Sequence, residues 1–429
     1  MLLPDFSGAR RWAFERALPF WAEAGADRAR GGFHEVLDTD GRPVDLGYRR
    51  VRVTCRQMYV FAHAHTLGWA GGVELACHGF EWLVGHGWQG PDRGWARRLD
   101  ERGVVVDPTA DLYDHAFVLF GLAWHHAATG DPSALEWAHR TLDFVEAHLR
   151  HPSGEGFLHA RPAEGPRLQN PHMHLLEAAL ALWETSRDAR FARLAFEVVT
   201  LFETRFFDRR TGTLGERFTE DLRRAPGDDG RLVEPGHMFE WAWILANYHR
   251  SFGAPVTDTV RRLVAFAERH GVDPVTQATL CTVRDDGTAL DASSRTWPNT
   301  ERIKGHLGLF LLDGTDPTAP VARATQFLLD RYLSPRGMWR DHFDRDGTCV
   351  AELVPASTLY HVFLAISELL RHEDGLRALP RRAAAATRRA RAPGGVPMPA
   401  GGAHDGAPIQ VRPGGVVGAR PPCRSRVGG

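Results

Sequence analysis

The stretch Glu234-Pro235-Gly236-His237-Met238-Phe239-Glu240-Trp241-Ala242-Trp243 decides how the rest of the chain is read. Pro235 suits the first turn of a helix, where its missing N–H costs no hydrogen bond. His237 and Glu240 are three residues apart and share a helical face. Phe239, Trp241 and Trp243 surround them with apolar bulk. An imidazole and a carboxylate at the mouth of an apolar helix make a proton-handling site, or else a polar pair that ties the helix start to its neighbour. Taken alone, the stretch leaves both readings open. Five other segments of similar build favour the first.

Outward from this helix, apolar residues recur at helical spacing in twelve stretches. Their approximate bounds are 8–24, 50–68, 71–86, 111–129, 131–149, 171–187, 188–206, 235–252, 255–270, 297–312, 316–333 and 355–372. Asp131-Pro132 and Asn170-Pro171 place a capping residue before Pro. Each even-numbered helix follows a connector built around Gly or Asp-Gly, such as 31–41, 93–103, 154–157, 212–221, 279–287 and 336–347. Most connectors read as short β-hairpins. A unit of helix, hairpin and helix thus recurs six times, and such units bury their faces only by stacking or closing. The odd-numbered helices read as plain amphipathic helices, whereas the even-numbered ones start with polar and aromatic motifs. Two concentric rings with the even helices inside bring six motif-bearing starts to one end of a cavity. Two separate helical domains are the alternative.

Bulk composition narrows the function. The 429 residues are 43% hydrophobic, ample for a large core, and the net charge is −1. From Leu379 onward there are nine Arg and one acidic residue, Asp405, so the tail carries +8 and the body −9. No basic stripe crosses the body, which argues against nucleic acid. Five Cys without a CxxC pair fit a reducing cytoplasm and give no zinc framework. There is no signal-peptide pattern and no apolar run long enough for a membrane span. The expectation is a cytoplasmic protein with one domain over 1–376 and a disordered Arg/Gly/Pro/Ala-rich tail over 377–429.

The other helix starts carry the chemistry. Arg56 enters an apolar stretch and must find anions or oxygens there. Asp111, Tyr113, Asp114 and His115 open helix 4, where Asp111, Asp114 and His115 share a polar face read as a structural network. Asn170-Pro171-His172-Met173-His174 opens helix 6, and His174 with Glu177 repeats the spacing of His237 with Glu240. Trp297 offers a flat apolar face suited to a sugar ring. Glu301 and Lys304, the only lysine, are three apart and read as an ion pair. His361 lies one turn into the last apolar helix. His-x-x-Glu motifs also suit metals, but the four-carboxylate set of di-metal helical bundles is incomplete, so no metal and no cofactor are expected. Glycoside hydrolysis through Glu240 and Glu301 is a further competitor, though it would leave the imidazoles idle.

In order and spacing, Asn170 to Glu177, Glu234 to Trp243, Trp297 to Lys304 and Pro355 to His361 resemble the N-acylglucosamine 2-epimerase superfamily, over roughly residues 8–372. That group includes D-mannose isomerases and cellobiose 2-epimerases. The resemblance implies an (α/α)6 barrel and metal-free proton transfer at C1–C2 of a sugar. It implies that His237 and His361 are the acid/base pair, that Arg56 steadies an enediolate, and that Glu240 orients His237. His174, backed by Glu177, would assist ring opening or bind a hydroxyl, while Trp297, Glu301, Asn170 and Tyr113 would line the sugar site. Met238 and Asn299 stand where many members have Gln. The expected function is an aldose–ketose isomerase of the D-mannose to D-fructose type. A sugar 2-epimerase and a non-catalytic binding protein are the alternatives. A homodimer is compatible with the family.

Overall fold

The structure, a computed structural model, describes residues 3–163 and 165–379. All twelve expected helices form, with ends within a few residues of the expected ones. They are α1 (6–25), α2 (Val51–Thr66), α3 (72–87), α4 (Leu112–Thr129), α5 (132–149), α6 (Asn170–Ser186), α7 (189–206), α8 (Pro235–Phe252), α9 (Thr257–His270), α10 (Thr296–Asp313), α11 (318–332) and α12 (Thr358–Arg371). A one-turn helix at Asp228–Arg231 was not anticipated.

Local chemistry explains the boundaries. Asp111, Asp131 and Asp188 cap α4, α5 and α7 by accepting from the amides of the first turn. Pro235 occupies the first position of α8, as expected. α4, α8 and α10 stop at Gly130, Gly253 and Gly314, whose positive φ lets the chain reverse out of the helix. Asn170, expected to cap α6, instead lies inside its first turn, and its Oδ1 is buried without a partner.

The even-numbered helices form a closed inner ring, each packed on the next, with α12 returning to α2. The odd-numbered helices lie behind them. The difference in surroundings is written in burial. α8 is buried continuously from Pro235 to Tyr248. α9 buries a stripe that includes Val260, Leu263, Val264 and Ala267, the spacing of a one-faced helix.

The connectors depart from the expectation of independent hairpins. Pairing within a connector does occur, as between Val36–Asp38 and Pro43–Val44. Strands also pair from one connector to the next: Arg49–Arg50 with Arg98–Leu99, Ala110–Asp111 with Ala160–Arg161, Arg167–Leu168 with Arg217–Phe218, Leu232–Val233 with Thr282–Arg284, and Ser294–Arg295 with His342–Phe343. Val36–Asp38 pairs with Leu353–Pro355 and closes the circle. Strands this short are marginal alone. Linked in a belt around one end of the barrel, they fix the height of every inner-helix start.

Side chains on the inner helices lock the same belt. His115 Nε2 accepts from the Trp95 amide and its Nδ1 donates to the Asp111 carbonyl. His172 repeats this with the Phe157 amide and the Leu168 carbonyl. A backbone N–H only donates, so both rings must be neutral with Nδ1 protonated. Burial agrees, lowering His115 to about 4 and His172 to about 3. Asn299 does the same work in α10, accepting from the Thr279 amide and donating to the Arg295 carbonyl. The structural reading of the α4 start therefore holds.

Past α12, residues 373–379 remain helical, Leu376 is buried, and Glu373 pairs with Arg10 at 2.9 Å. The folded part thus extends slightly beyond the expected boundary at 376. The remainder of the expected tail, from residue 380, lies outside the described residues. No helix among the described residues is long and apolar enough to cross a membrane.

Candidate active site

Three imidazole–carboxylate pairs face one another where the inner helices begin, and each carboxylate is held by a different third group. In α12, His361 Nδ1 donates to Glu301 Oε1 at 2.8 Å, and Glu301 Oε2 lies 2.6 Å from Lys304 Nζ. In α8, His237 Nδ1 donates to Glu216 Oε2 at 3.0 Å, with Glu234 at 3.6 Å. Gln169 Nε2 donates to the same Glu216 oxygen at 2.8 Å, and Trp241 Nε1 donates to Gln169 Oε1 at 2.6 Å. In α6, His174 Nδ1 donates to Glu177 Oε2 at 3.1 Å, and the Tyr360 hydroxyl donates to Glu177 at 2.6 Å. In every pair Nδ1 is used inward, which leaves Nε2 for whatever enters.

Trp297 joins two of the pairs. Its indole centroid is 5.0 Å from the His237 ring and 5.6 Å from the His361 ring. The Trp297 indole packs over Gly236, where an added Cβ would fall 2.5 Å from the ring. That helix start therefore has no room for a larger residue. The two histidines singled out in the sequence thus both lie against one indole.

Arg56 completes the floor. One Nη donates to the Tyr113 hydroxyl at 2.7 Å, and the other donates to the Ser357 carbonyl at 3.3 Å. The guanidinium lies over the Phe117 ring at 4.1 Å. Among the described residues no carboxylate pairs with it, whereas neighbouring Arg52 is paired with Asp114 at 3.2 Å. The Tyr113 ring also lies against His174, with centroids 4.9 Å apart.

The surroundings shift the two histidines in opposite directions. Burial alone would lower His237, but the charges of Glu234 and Glu216 outweigh it and raise the ring to about 10, so it is an imidazolium. Burial lowers His361 well below its ordinary value, and the cations Arg56 and Lys304 add to the effect, so it is a neutral imidazole. His174 is also neutral, lowered by burial to about 4 against the pull of Glu177. Burial raises Glu240 far above the carboxylate range, and the charge of Glu301 adds to it. Burial also raises Glu301, but Lys304 opposes that shift. Burial and mutual proximity thus disfavour the charge of both acids, of Glu240 the more strongly.

One assignment needs correction. Glu240, expected to orient His237, makes no hydrogen bond to it, and both its oxygens are buried without a partner among the described residues. Its nearest imidazole is His361, at 3.9 Å. Helical side chains lean toward the N-terminus, and His237 leans toward Glu234 and the connector at 213–218. The orienting partner is Glu216, which no periodicity marks because it lies in a connector 21 residues upstream. Gln169 and Tyr360 were likewise not singled out. Glu301, expected to pair with Lys304 and to line the sugar site, meets Lys304 and is also the partner of His361. Asn170 lies at the α6 start, with its buried oxygen unpartnered.

Among the described residues three clusters have the ligand spacing for a divalent cation; Asp27, His34 and Glu101 lie outside this site, and two lie within it: Glu216, Glu234 and His237, and Glu240, Glu301 and His361. In the second, Lys304 already supplies the positive charge that a cation would bring.

Comparison with known proteins accords with this architecture. The chain is 37% identical over 383 residues to a mannose-6-phosphate isomerase of Rhizobium meliloti, covering 86% of this chain and 96% of that protein. It is 30% identical over 298 residues to a D-mannose isomerase of Thermobifida fusca, covering 65% and 73%. Its fold superposes on cellobiose 2-epimerase from Bacillus thermoamylovorans with a TM-score of 0.78 at 19% identity, covering 86% and 99%, which shows the (α/α)6 barrel. The profile of the N-acylglucosamine 2-epimerase (GlcNAc 2-epimerase) family matches residues 31–365. With its closed ring of six inner helices and its paired imidazoles, the chain belongs to the N-acylglucosamine 2-epimerase family.

Proposed function

We propose that the protein is an aldose–ketose isomerase acting on a hexose of mannose configuration, by proton transfer through an enediolate. The observation that supports it most is the contact of one charged and one neutral imidazole with a single indole. The C2–H of an open-chain aldose is weakly acidic because the carbonyl spreads the resulting charge onto oxygen. Neutral His361 takes that proton on Nε2. The imidazolium of His237 gives its proton to O1 and later receives one from O2. His361 returns the carbon proton to C1, and the ketose results. Arg56 steadies the oxygens of the intermediate. Neutral His174, held by Glu177 and Tyr360, opens the pyranose ring. The unpartnered oxygens of Glu240 and Asn170 receive sugar hydroxyls, and Trp297 packs on the ring's CH face.

The test is incubation in D₂O with D-mannose and, separately, D-mannose 6-phosphate, with products followed by NMR. Deuterium at C1 of a ketose supports the isomerase. An aldose labelled at C2 points to the second reading, a 2-epimerase. That reading is favoured by the contact of both His237 and His361 with one indole, since two imidazoles acting on opposite faces of C2 invert it. Binding without any exchange would leave a non-catalytic protein. A cytoplasmic homodimer is the form in which we propose it works, tested by cell fractionation and sedimentation velocity.

Two further results are expected. Glu216→Gln removes one of the charges that hold His237 near 10. The alkaline limb of kcat should then move down by about one pH unit or more, as judged by a full pH–rate profile. The sign follows from linkage. A raised histidine stabilises the fold fully below its unfolded value near 6.5 and loses that contribution as pH rises toward 10, so the variant should also lose stability chiefly below that range. Prolonged dialysis against EDTA should leave kcat unchanged. Loss of activity restored by a divalent cation would place a metal at one of the two clusters.

A further inference from the structure

Lys304 contacts none of the groups assigned a direct role in proton transfer except through Glu301. Its ammonium and the Glu301 carboxylate are both fully buried, 2.6 Å apart, on successive turns of α10. The ammonium also lies over the rings of Trp243, at 4.5 Å, and Tyr360, at 5.8 Å. Those aromatic faces accept a cation while offering it no hydrogen bond. Glu301 in turn accepts from His361 Nδ1 at 2.8 Å.

We infer that Lys304 is a positioning residue for proton transfer: it keeps Glu301 ionised, and the Glu301 carboxylate fixes His361 in the tautomer with Nδ1–H inward and Nε2 bare toward the cavity. The inference rests on the isomerase reading for its kinetic consequence but not for its structural one.

The charges around the trio make the need for Lys304 plain. Glu240 of α8 and Glu177 of α6 face Glu301 and Lys304, while His237 of α8 faces Glu240. Arg56 of α2 and His174 of α6 face His361, and the Tyr360 hydroxyl closes the α12 side on Glu177. With three buried carboxyl groups converging, removal of the only ammonium among them leaves Glu301 protonated. Protonated on Oε1, the oxygen that meets the imidazole, Glu301 donates to His361 Nδ1 instead of accepting from it. The imidazole must then carry its proton on Nε2, facing the sugar, where it cannot act as a base. Proton count is conserved: the proton that Glu301 gains comes from solvent, and the ring proton changes nitrogen.

The experiment uses the full-length protein with ¹⁵N-labelled histidine, the His361 signals being assigned by difference from His361→Asn. In the wild type, His361 should show a protonated Nδ1 and an unprotonated Nε2 at neutral pH. In Lys304→Met the pattern should invert, kcat should fall tenfold or more with KM within about threefold, and the acid limb of kcat should move up by at least one pH unit. Activity should return in part at high pH, as Glu301 ionises. Should Lys304→Met fail to fold, Glu301→Gln, which keeps the shape, must itself lose the single-tautomer signature. In the double variant the two losses should not add, because both act through one group. A wild-type His361 already protonated on Nε2, or a Lys304→Met enzyme with an unshifted tautomer and acid limb, overturns the inference. The NMR readout needs no turnover, so a protein inactive on every hexose would sink the isomerase reading and leave this one standing.

Discussion

Replacing His361 with Asn is expected to lower kcat by roughly 10²–10⁴-fold, the span typical of a lost general acid–base group. KM should change little. Asn keeps a polar side chain of similar reach and still meets Glu301, so substrate binding survives while the C2 proton has no acceptor. Deuterium incorporation from D₂O should disappear together with product formation, because both depend on the same removal of a proton from carbon. Retention of more than about a tenth of wild-type kcat, well outside that span, would exclude His361 as the base. The expectation is sharp because His361 is the only one of the three paired imidazoles that is both neutral and in ring contact with Trp297.

Arg56→Met should cost roughly 10²–10³-fold in kcat, the usual loss when one donor to a developing oxyanion is removed from a desolvated site. The change preserves apolar bulk over Phe117 but removes the donors that reach Tyr113 and the Ser357 carbonyl. Arg56→Lys should recover only part of the loss, since a point charge cannot serve two oxygens through a planar fork. Steady-state kinetics on the proposed hexose separate the outcomes. A rise in KM with kcat intact would make Arg56 a binding group only. Other arginines near this end of the barrel do not substitute for it, because they already have carboxylate partners: Arg50 pairs with Glu35 and Arg52 with Asp114.

Much of this was legible in the chain. The helix count follows from apolar spacing, and closure follows from six repeated units that cannot bury their faces alone. His237, His361, Arg56, Trp297 and the His174–Glu177 pair were readable because each sits at a helix start that repeats a pattern. The structure groups these residues at one end of the ring. What periodicity could not supply was partner choice. Glu240 has the same three-residue spacing to His237 that Glu177 has to His174, yet only the second pair forms. The deciding groups, Glu216 and Gln169, come from connector residues with no period, brought in because their strands pair with those of neighbouring connectors.

By itself, then, the sequence determined the twelve helices, their division into inner and outer, and the residue types gathered at the inner starts. These are local properties, set by spacing, caps and apolar content. Only the tertiary structure decided which carboxylate each imidazole meets, and hence that His237 is charged while His361 is neutral. That choice depends on contacts between residues as far apart as 301 and 361. It depends also on burial, which turns a small difference in neighbouring charge into a difference in protonation because little water remains to screen it.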